Sequence, residues 1–358
     1  MGLARSPSRV FPNVGFSPAS ADAGQAGLLR PWGRGRPRRW LDKGWQHGLS
    51  LPSELAARAL RLPWPDRLVE DARARACAVH LPWLPALSAR DAALLRTLLR
   101  DGVCITSLEE LGLPGTAAML ASATSLTGRL AARRHHPDHA HRHTVTATAQ
   151  DLLDFPAILE WGLGTRLLDL VENYLGLPVA YDGPDHFYSP ADGREAGPRI
   201  WHRDREDRRM LKIAVYISDV GPQDGPFEIV RPDFRESCGG PRRGAILSQA
   251  ELERQIGPGN MEKAIRTCTG RRGTVVIAET AENYHRGRPP VRGDRSALYY
   301  GYFSRFTPTP FFCERSPLSR AQIARIATGM PERQHDALLW RRFLPAWKRI
   351  VPTNRIRV

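Results

Sequence analysis

The sequence has no long apolar run and no closely spaced pair of cysteines. Nowhere does it reach the roughly 18 consecutive apolar residues that a membrane-spanning helix needs. The first twenty residues also lack the apolar centre of a secretory signal. We therefore expect a protein without a membrane span that is located in the cytoplasm. The five cysteines are odd in number and lie far apart, which argues against a disulfide framework and against a zinc knuckle.

Lysine is also scarce. Only four of the 52 basic residues are lysines, and the net charge of +15 is concentrated at the two ends of the chain. Residues 1–40 and 341–358 each carry +6, which leaves +3 for the residues between them. A GC-rich coding sequence explains such an excess of arginine more simply than selection for phosphate contacts does. Nucleic acid is therefore not the expected partner.

The composition divides the chain into three parts. Residues 1–50 are rich in Gly, Pro, Ser and Arg without apolar periodicity, which predicts a basic tail that is disordered or loosely packed. An organellar transit peptide has a similar composition, and the sequence does not separate these two interpretations. We expect a single folded domain over residues 51–330, followed by a C-terminal helix and a second basic tail over 331–358.

The N-terminal half of the expected domain has helical spacing. The segment "SARDAALLRTLLRDG" offers Ser88 as N-cap, Asp91 three residues later and Gly102 as the stop, and the strand-like "VCIT" follows it. A second helix is predicted over much of 115–132. The segment "ILEWGLGTRLLDLVENYLG" predicts one long amphipathic helix that ends at Gly176. This half is therefore expected to be mainly helical.

At about residue 179 the pattern changes to short β-rich runs separated by Gly, Pro and Asp. These runs are "VAY", "HFYS", "RIWH", "LKIAVYISDV", "FEIV", "TVVIA" and "ALYYGYF". Helical spacing returns in an insert at about 248–266, where Ser248 and Glu251 form a capping box, and again after Ser319. Many short strands without alternating helices indicate a sandwich or barrel rather than a parallel sheet.

The strongest chemical signal lies among these strands. In "IWHRDRED", His202 and Asp204 stand two residues apart, so on extended chain both side chains reach the same face. His285 follows a later apolar strand, and Arg295 stands ten residues beyond it. Two histidines and one carboxylate that bind one face of a metal are typical of non-haem Fe(II) oxygenases. The planar fork of an arginine suits a carboxylate cosubstrate.

These motifs together resemble the phytanoyl-CoA dioxygenase family of Fe(II)- and 2-oxoglutarate-dependent oxygenases. The resemblance extends over roughly residues 90–306 and is most specific in "WHRD", "LKIAVYISDVGPQDGPFEIV" and "HRGRPPVRGDR". It implies a mainly β fold with helices, in which a double-stranded β-helix, the jelly roll of cupin-like proteins, covers about 179–306. N-terminal and C-terminal helices would wrap this core. It also implies that His202, Asp204 and His285 bind iron and that Arg295 binds the distal carboxylate of 2-oxoglutarate.

The activity that the resemblance implies is that of a dioxygenase. Such an enzyme uses Fe(II), 2-oxoglutarate and O2 to hydroxylate a small organic molecule, with release of succinate and CO2. Asp204 favours hydroxylation, because halogenating relatives lack the carboxylate ligand. Four arginines near the motif suggest either an acidic or CoA-linked substrate or a solvated rim paired with Glu206 and Asp207. They are Arg203, Arg205, Arg208 and Arg209.

Two other interpretations of the sequence stay open. One is a cupin-like metal-binding protein without oxygenase activity. The other is a basic protein that binds nucleic acid or another partner, in which the H-x-D motif and the distal histidine coincide by chance. No motif identifies the substrate or the oligomeric state.

The sequence departs from the family at two positions near the expected site. It reads "VRPDFRESCGG" where many members have a "PGSH"-like turn. Position 287 is glycine where several relatives carry a hydroxyl residue that helps to hold the cosubstrate. If the cosubstrate needs such a hydroxyl, another group such as Tyr188 or Thr280 must assist instead.

A cluster of five histidines in "RRHHPDHAHRHT", residues 133–144, has three interpretations. It offers ligands for a metal, but Pro137 interrupts helical pairing and the neighbouring arginines repel a cation. It otherwise forms a polar loop, or a loop that lies over the active site. Trp201, next to the expected ligand His202, is turned away by strand alternation and is expected to pack in the core.

Overall fold

Two antiparallel sheets form the centre of the structure, a computed structural model that describes residues 51–239 and 244–354. The predicted basic tail over 1–50 and the last four residues of the second tail lie outside the described residues. The strands in chain order are β1 Val103–Ser107, β2 Val145–Thr146, β3 Val179–Ser189, β4 Trp201–His202, β5 Leu211–Tyr216, β6 Phe227–Val230, β7 Ile246–Leu247, β8 Ile265–Cys268, β9 Thr274–Glu279, β10 His285–Gly287 and β11 Arg295–Ser304.

The order of the strands is that of a jelly roll. The large sheet has the order β1-β9-β5-β11-β3-β2, and the small sheet has the order β7-β4-β10-β6-β8. From β3 to β6 the chain alternates between the two sheets at every strand, and it does so again from β8 to β11. Every strand pair is antiparallel. The fold predicted from the sequence, a jelly-roll core wrapped by helices, is therefore confirmed.

The helices precede, interrupt and follow this core. They are α1 (51–60), α2 Pro63–His80, α3 Ala89–Asp101, α4 Leu108–Leu111, α5 Thr116–Arg134, α6 Pro137–Ala140, α7 Ala149–Asp154, α8 Pro156–Trp161, α9 Thr165–Leu175, α10 Gln249–Ile256, α11 Met261–Ala264, α12 Arg320–Ala327, α13 Glu332–Leu338 and α14 Ala346–Ile350. In the described part of the chain, no helix is both long enough and apolar enough to cross a membrane.

Local capping determines where these helices begin and end. The Ser88 side chain accepts a hydrogen bond from Asp91 N, and Gly102 ends α3 with a left-handed φ of 71°. A side chain at Gly102 would also collide with Asn283, because its Cβ would lie 2.8 Å from Asn283 Nδ2. The short strand β1 follows at once, as the sequence indicates, and it pairs with β9.

The two faces of the large sheet pack against different parts of the structure. Along β5, Leu211, Ile213 and Val215 face the wrapping helices, whereas Ala214 and Tyr216 face the small sheet. This alternation is the period of a strand. Burial of each large side chain on the helix side contributes about 1.5–3 kcal/mol. The helices therefore hold the outer face, and the inner face remains available for a site between the sheets.

The long helix predicted to end at Gly176 is divided into α8 and α9. Gly162 lies at the break, and its Cβ would approach Tyr300 Cδ1 to 2.7 Å. The tyrosines of the sheet bind the carbonyls that the break leaves free: Tyr181 donates to Leu159 O at 3.1 Å and Tyr302 donates to Gly162 O at 2.7 Å. The prediction of one continuous helix is thus wrong, because hydrogen bonds from the sheet tyrosines replace helical hydrogen bonds that the break removes.

We expect Gly162→Ala to destabilise the fold by about 1–3 kcal/mol, as overpacking of a closed contact does. Gly128→Ala is the matched control, since Gly128 lies inside α5 and its Cβ would have no atom within 4 Å. That change is expected to stabilise the helix by about 0.5–1 kcal/mol. Urea denaturation of both variants measures the free energy of unfolding; equal effects would contradict the assignment of Gly162 to a closed contact.

Candidate metal centre and its cavity

The two histidines of the motif face each other across neighbouring strands. His202 in β4 and His285 in β10 are direct antiparallel partners, and their ring centroids lie 4.3 Å apart. β10 also pairs with β6 on its other side, where His285 is opposite Ile229. Residues directly opposite each other on adjacent strands project to the same face of the sheet. Strand pairing alone therefore brings together two residues that are far apart in sequence.

Asp204 completes the group from the turn after β4. Its backbone N–H donates to the carbonyl of Thr280 at 2.9 Å. Its carboxylate oxygens lie 3.8 Å from His202 Nε2 and 3.6 Å from His285 Nε2. Within the described ranges, this is the one group of three potential ligands whose atoms all lie within 4.8 Å of one another. The structure thus brings together all three residues that the sequence singles out.

The histidines present the correct nitrogen to a metal. His202 Nδ1 lies 2.8 Å from Ile200 O, and His285 Nδ1 lies 3.2 Å from Asn283 O. A carbonyl oxygen can only accept a hydrogen bond, so each Nδ1 carries the hydrogen and each Nε2 keeps its lone pair. Burial lowers the pKa of His202 and holds that of His285 well below its usual range. Both rings are therefore neutral at neutral pH, as metal ligands must be.

Asp204 is the anionic member of the group. Burial alone would raise the pKa of this carboxyl, but the positive charges of Lys212 and Arg315 hold it well below its usual range. Lys212 Nζ forms an ion pair with Oδ2 at 2.6 Å, and neither carboxylate oxygen accepts a hydrogen bond from the described residues. Two neutral imidazoles and one carboxylate with free lone pairs fit an Fe(II) ion.

Arg295 lies in the same cavity and has no anionic partner among the described residues. It begins β11, is 3% exposed, and donates to Gly225 O and, at 3.4 Å, to Ser189 Oγ. A guanidinium buried without a carboxylate is costly, and it suits an anion that binds from solution. A Cβ at Gly287 would lie only 2.6 Å from Arg295 Nη2, so the glycine at this position gives the guanidinium its room.

Neither substitute predicted for the missing hydroxyl at position 287 lines the cavity. Tyr188 lies on the outer face of β3 and donates to Asp294 Oδ2 at 2.5 Å. Thr280 acts through its carbonyl on Asp204 N, and its hydroxyl is buried without a partner. Ser189, on the inner face of β3 and in contact with Arg295, is the hydroxyl that the sequence did not single out.

The cavity has a volume of about 420 Å³. Some of the charged side chains that line it were not predicted from any sequence motif. It is lined by the two histidines and Arg295, and also by Asp185, Lys212 and Arg315. Lys212 is the one charged residue in the apolar strand "LKIAVY". A single charge in such a strand could have indicated a functional position from the sequence alone. Arg315 follows the end of β11 and contacts Glu206 and Asp204, so only the tertiary fold reveals it.

The histidine cluster lies beside the cavity without forming a metal site. Arg142 and Thr144, at its C-terminal end, line the cavity. His136 acts as N-cap of the short helix α6 through its Nδ1. Within the described ranges, no histidine of the cluster belongs to a group of potential metal ligands. Of the three interpretations, a loop over the site agrees with these contacts, although the residues at the cavity are not histidines.

The four arginines near the motif are engaged in structural contacts. Arg205 pairs with Glu54 in α1, and Arg208 pairs with Asp66 and Glu70 in α2. The other two stack on aromatic rings: Arg203 over Tyr284 and Arg209 over Tyr174, each at 4.3 Å. None of the four lines the cavity. They therefore give no support to an acidic substrate. The side chains of Arg205 and Arg208 pair with acids of α1 and α2, whereas Glu206 and Asp207 accept hydrogen bonds from the backbone N–H groups of these two arginines.

Trp201 is fully buried and lies on the side of β4 away from the cavity. It packs with Leu252 and Ile256 of α10 and donates to Gln249 Oε1 at 2.8 Å. The guanidinium of Arg286 stacks over its ring at 4.5 Å. This agrees with the packing role expected from strand alternation.

Fold and site together define a jelly-roll protein with a candidate metal centre between its sheets. No family model matches the chain, and no curated protein matches it. Among solved structures, EctD from S. alaskensis is similar at 18% identity and a TM-score of 0.45, over 65% of this chain and 85% of that one. The non-haem α-ketoglutarate-dependent epimerase SnoN from nogalamycin biosynthesis is similar at 17% identity and 0.42, over 61% and 82%. HygX from Streptomyces hygroscopicus, solved with nickel and 2-oxoglutarate, is similar at 17% identity and 0.43, over 64% and 90%.

We expect His202→Ala and His285→Ala each to lower the affinity for Mn(II), a redox-stable probe of the site, by at least about 100-fold. Loss of a hydrogen-bond partner behind a ligand already costs about 10–100-fold, and loss of the ligand itself costs more. Isothermal titration calorimetry on the full chain measures this affinity. The control combines His135→Ala, His136→Ala and His139→Ala and should bind Mn(II) like the wild type. Equal loss in the control would contradict the assignment.

Proposed function

We propose that this protein is an Fe(II)- and 2-oxoglutarate-dependent dioxygenase that hydroxylates a small organic molecule. The observation that carries the proposal is a group of two histidines and one carboxylate whose histidines line the same cavity as a buried arginine that lacks an anion among the described residues. Neither feature alone specifies the reaction. Together they match a metal that is chelated by one end of a dicarboxylate whose other end binds a guanidinium.

The metal would be held by His202, Asp204 and His285. Fe(II) bound there, with 2-oxoglutarate and O2, would supply the oxidising chemistry that yields succinate, CO2 and the hydroxylated product. The chain contributes orientation: the carbonyls behind each Nδ1 fix the imidazole rings, and Phe227 stacks on His285 at 5.6 Å between centroids. Lys212 and Arg315 keep Asp204 anionic before any metal arrives.

Arg295 would bind the distal carboxylate of 2-oxoglutarate. Its planar fork forms two parallel hydrogen bonds with a carboxylate, and burial strengthens both because water does not compete. Gly225 O and Ser189 Oγ hold the guanidinium in place from one side. The cavity volume of about 420 Å³ lies within the range of roughly 300–1,000 Å³ that is usual for small-molecule sites.

Two finer assignments belong to the same proposal. The motifs "WHRD" and "HRGRPPVRGDR" support membership of the phytanoyl-CoA dioxygenase family, and residues 51–330 would be its catalytic domain. Asp204 supports hydroxylation over halogenation, because the carboxylate takes the position that a halide needs. The competing proposal is a cupin-like protein that binds a metal without oxygenase activity.

Release of succinate from 2-oxoglutarate separates these two proposals. With Fe(II), ascorbate and O2, the wild type is expected to form succinate slowly even without its substrate, and His202→Ala is expected to form none. Arg295→Ala should weaken 2-oxoglutarate binding by about 100-fold, since a charge-assisted bidentate contact contributes roughly 1.5–3 kcal/mol. Arg288→Ala is the control, because Arg288 is half exposed and lies outside the cavity.

Two results would refute the oxygenase. One is equal succinate release by the wild type, His202→Ala and Arg295→Ala. The other is a wild type that binds neither Mn(II) nor 2-oxoglutarate. A wild type that binds Mn(II) but neither binds nor decarboxylates 2-oxoglutarate would favour the metal-binding cupin instead.

Gly287→Ala gives an independent test of the 2-oxoglutarate subsite. The new methyl group would occupy the space of the Arg295 guanidinium, so the affinity for 2-oxoglutarate should fall by about tenfold, the effect of roughly 1.4 kcal/mol. Mn(II) affinity should not change, because the histidine ligands keep their backbone positions. Titration of the Mn(II)-bound variant with 2-oxoglutarate measures the first effect. An unchanged affinity for 2-oxoglutarate would argue against binding at Arg295.

A further inference from the structure

We propose that Asp185 binds a protonated amine of the substrate, so that this site accepts a small organic cation. The inference names the substrate class of the site described above and therefore rests on the proposed function. It is argued from the position of Asp185 in the cavity, from its lack of a partner and from the pairing of the charges around it.

Asp185 lies at the end of the cavity remote from Arg295. Along β3 the side chains of Asp185, Phe187 and Ser189 alternate with outward-facing residues, and all three line the cavity. At about 3.3 Å per residue, Asp185 and Ser189 are roughly 13 Å apart along the strand. Ser189 contacts Arg295, so the 2-oxoglutarate subsite lies at one end of this row and Asp185 at the other.

The carboxylate of Asp185 has no hydrogen-bond or ion-pair partner among residues 51–239 and 244–354. Carboxylates enclosed in a protein are normally paired, because their desolvation is costly. Burial accordingly raises the pKa of Asp185 to about 6, although Arg315 and Lys212 act in the opposite direction. The group is therefore mostly ionised at neutral pH and available to a cation.

The neighbouring basic groups already have carboxylates of their own. Lys212 pairs with Asp204 at 2.6 Å, and Arg315 contacts Glu206. At the other end, Arg199 pairs with Asp192, and Arg295 is reserved for the cosubstrate. Asp185 is thus the acidic residue that lines the cavity without an ion-pair partner of its own among the described residues.

The remaining unpaired base at the cavity, Arg142, is at the wrong end to fill this role. β2 is antiparallel to β3, with Val145 opposite Tyr188. Residues before Val145 therefore run past Ser189, away from Asp185. Arg142 is also exposed to solvent at the rim. It does not neutralise Asp185.

An apolar wall separates the two ends of the cavity. Tyr299 on β11 is opposite Asp185, and Phe187 lies two residues further along β3. The two rings contact each other with centroids 5.2 Å apart, and both line the cavity. The carbon skeleton of a substrate can lie against these rings while its amine contacts Asp185. Aromatic faces also attract organic cations. The arrangement would present a C–H bond of the skeleton to the metal group on the opposite sheet.

Ligand-observed NMR with three matched probes tests this inference on the full chain. The probes are n-butylammonium, 1-butanol and pentanoate, which share a four-carbon chain and differ in charge. Titrations are done with the protein alone and with Mn(II) and 2-oxoglutarate bound. We expect n-butylammonium to bind in preference to the other two, and its affinity to fall at least about tenfold in Asp185→Asn, as loss of a charge-assisted hydrogen bond predicts.

Asp154→Asn is the control, because it removes a carboxylate on α7 that lies outside the cavity. Binding of n-butylammonium that is equal in Asp185→Asn and wild type, or no binding to the wild type, would overturn the inference. So would preference for 1-butanol, which would point to a neutral hydroxyl. If n-butylammonium binds through Asp185 but 2-oxoglutarate and Mn(II) do not bind, the proposed function fails and the cation site stands.

Discussion

The site depends on the pairing of two very short strands. β4 contains two residues and β10 three, yet a shift of one residue between them would turn His202 to the opposite face of the sheet. So few hydrogen bonds cannot hold this register by themselves. It is held by packing behind the small sheet, where Trp201 and Tyr284 are buried with Leu252 and Ile256 of α10. The insert that carries α10 and α11 thus supports the strands that bring His202 and His285 together.

Buried charge is the second condition that the fold must meet. Asp204, Glu206 and Asp207 are all almost fully buried within one turn after β4. Each has its own compensation: Asp204 has Lys212, Glu206 has Arg315, and Asp207 accepts hydrogen bonds from Ser304. Uncompensated burial of any of them would cost several kcal/mol. The turn can therefore place one carboxylate beside the two histidines while the other two anchor it to neighbouring segments.

The jelly roll and the three clustered residues were accessible from the sequence, because strand periodicity and the H-x-D spacing are local signals. The functional roles of these residues stay predictions. Sequence reasoning was wrong about one continuous helix before Gly176, because the tyrosines that bind the free carbonyls come from strands that follow it in the chain. The acids on α1 and α2 that pair with Arg205 and Arg208 were missed because these helices lie far before the two arginines in the chain. Asp185 lacked any motif, and only the folded cavity shows that it has no partner.

Arg315 shows that the limits of the fold and of the site do not coincide. The last strand of the jelly roll ends at Ser304, but Arg315, a second cation near Asp204 besides Lys212, comes from the segment beyond it. An exchange of the β core between two such proteins would transfer His202, Asp204 and His285 and leave Arg315 behind. A chimera of that kind would therefore need the C-terminal segment as well as the strands to keep the charges around Asp204, although no strand connects them.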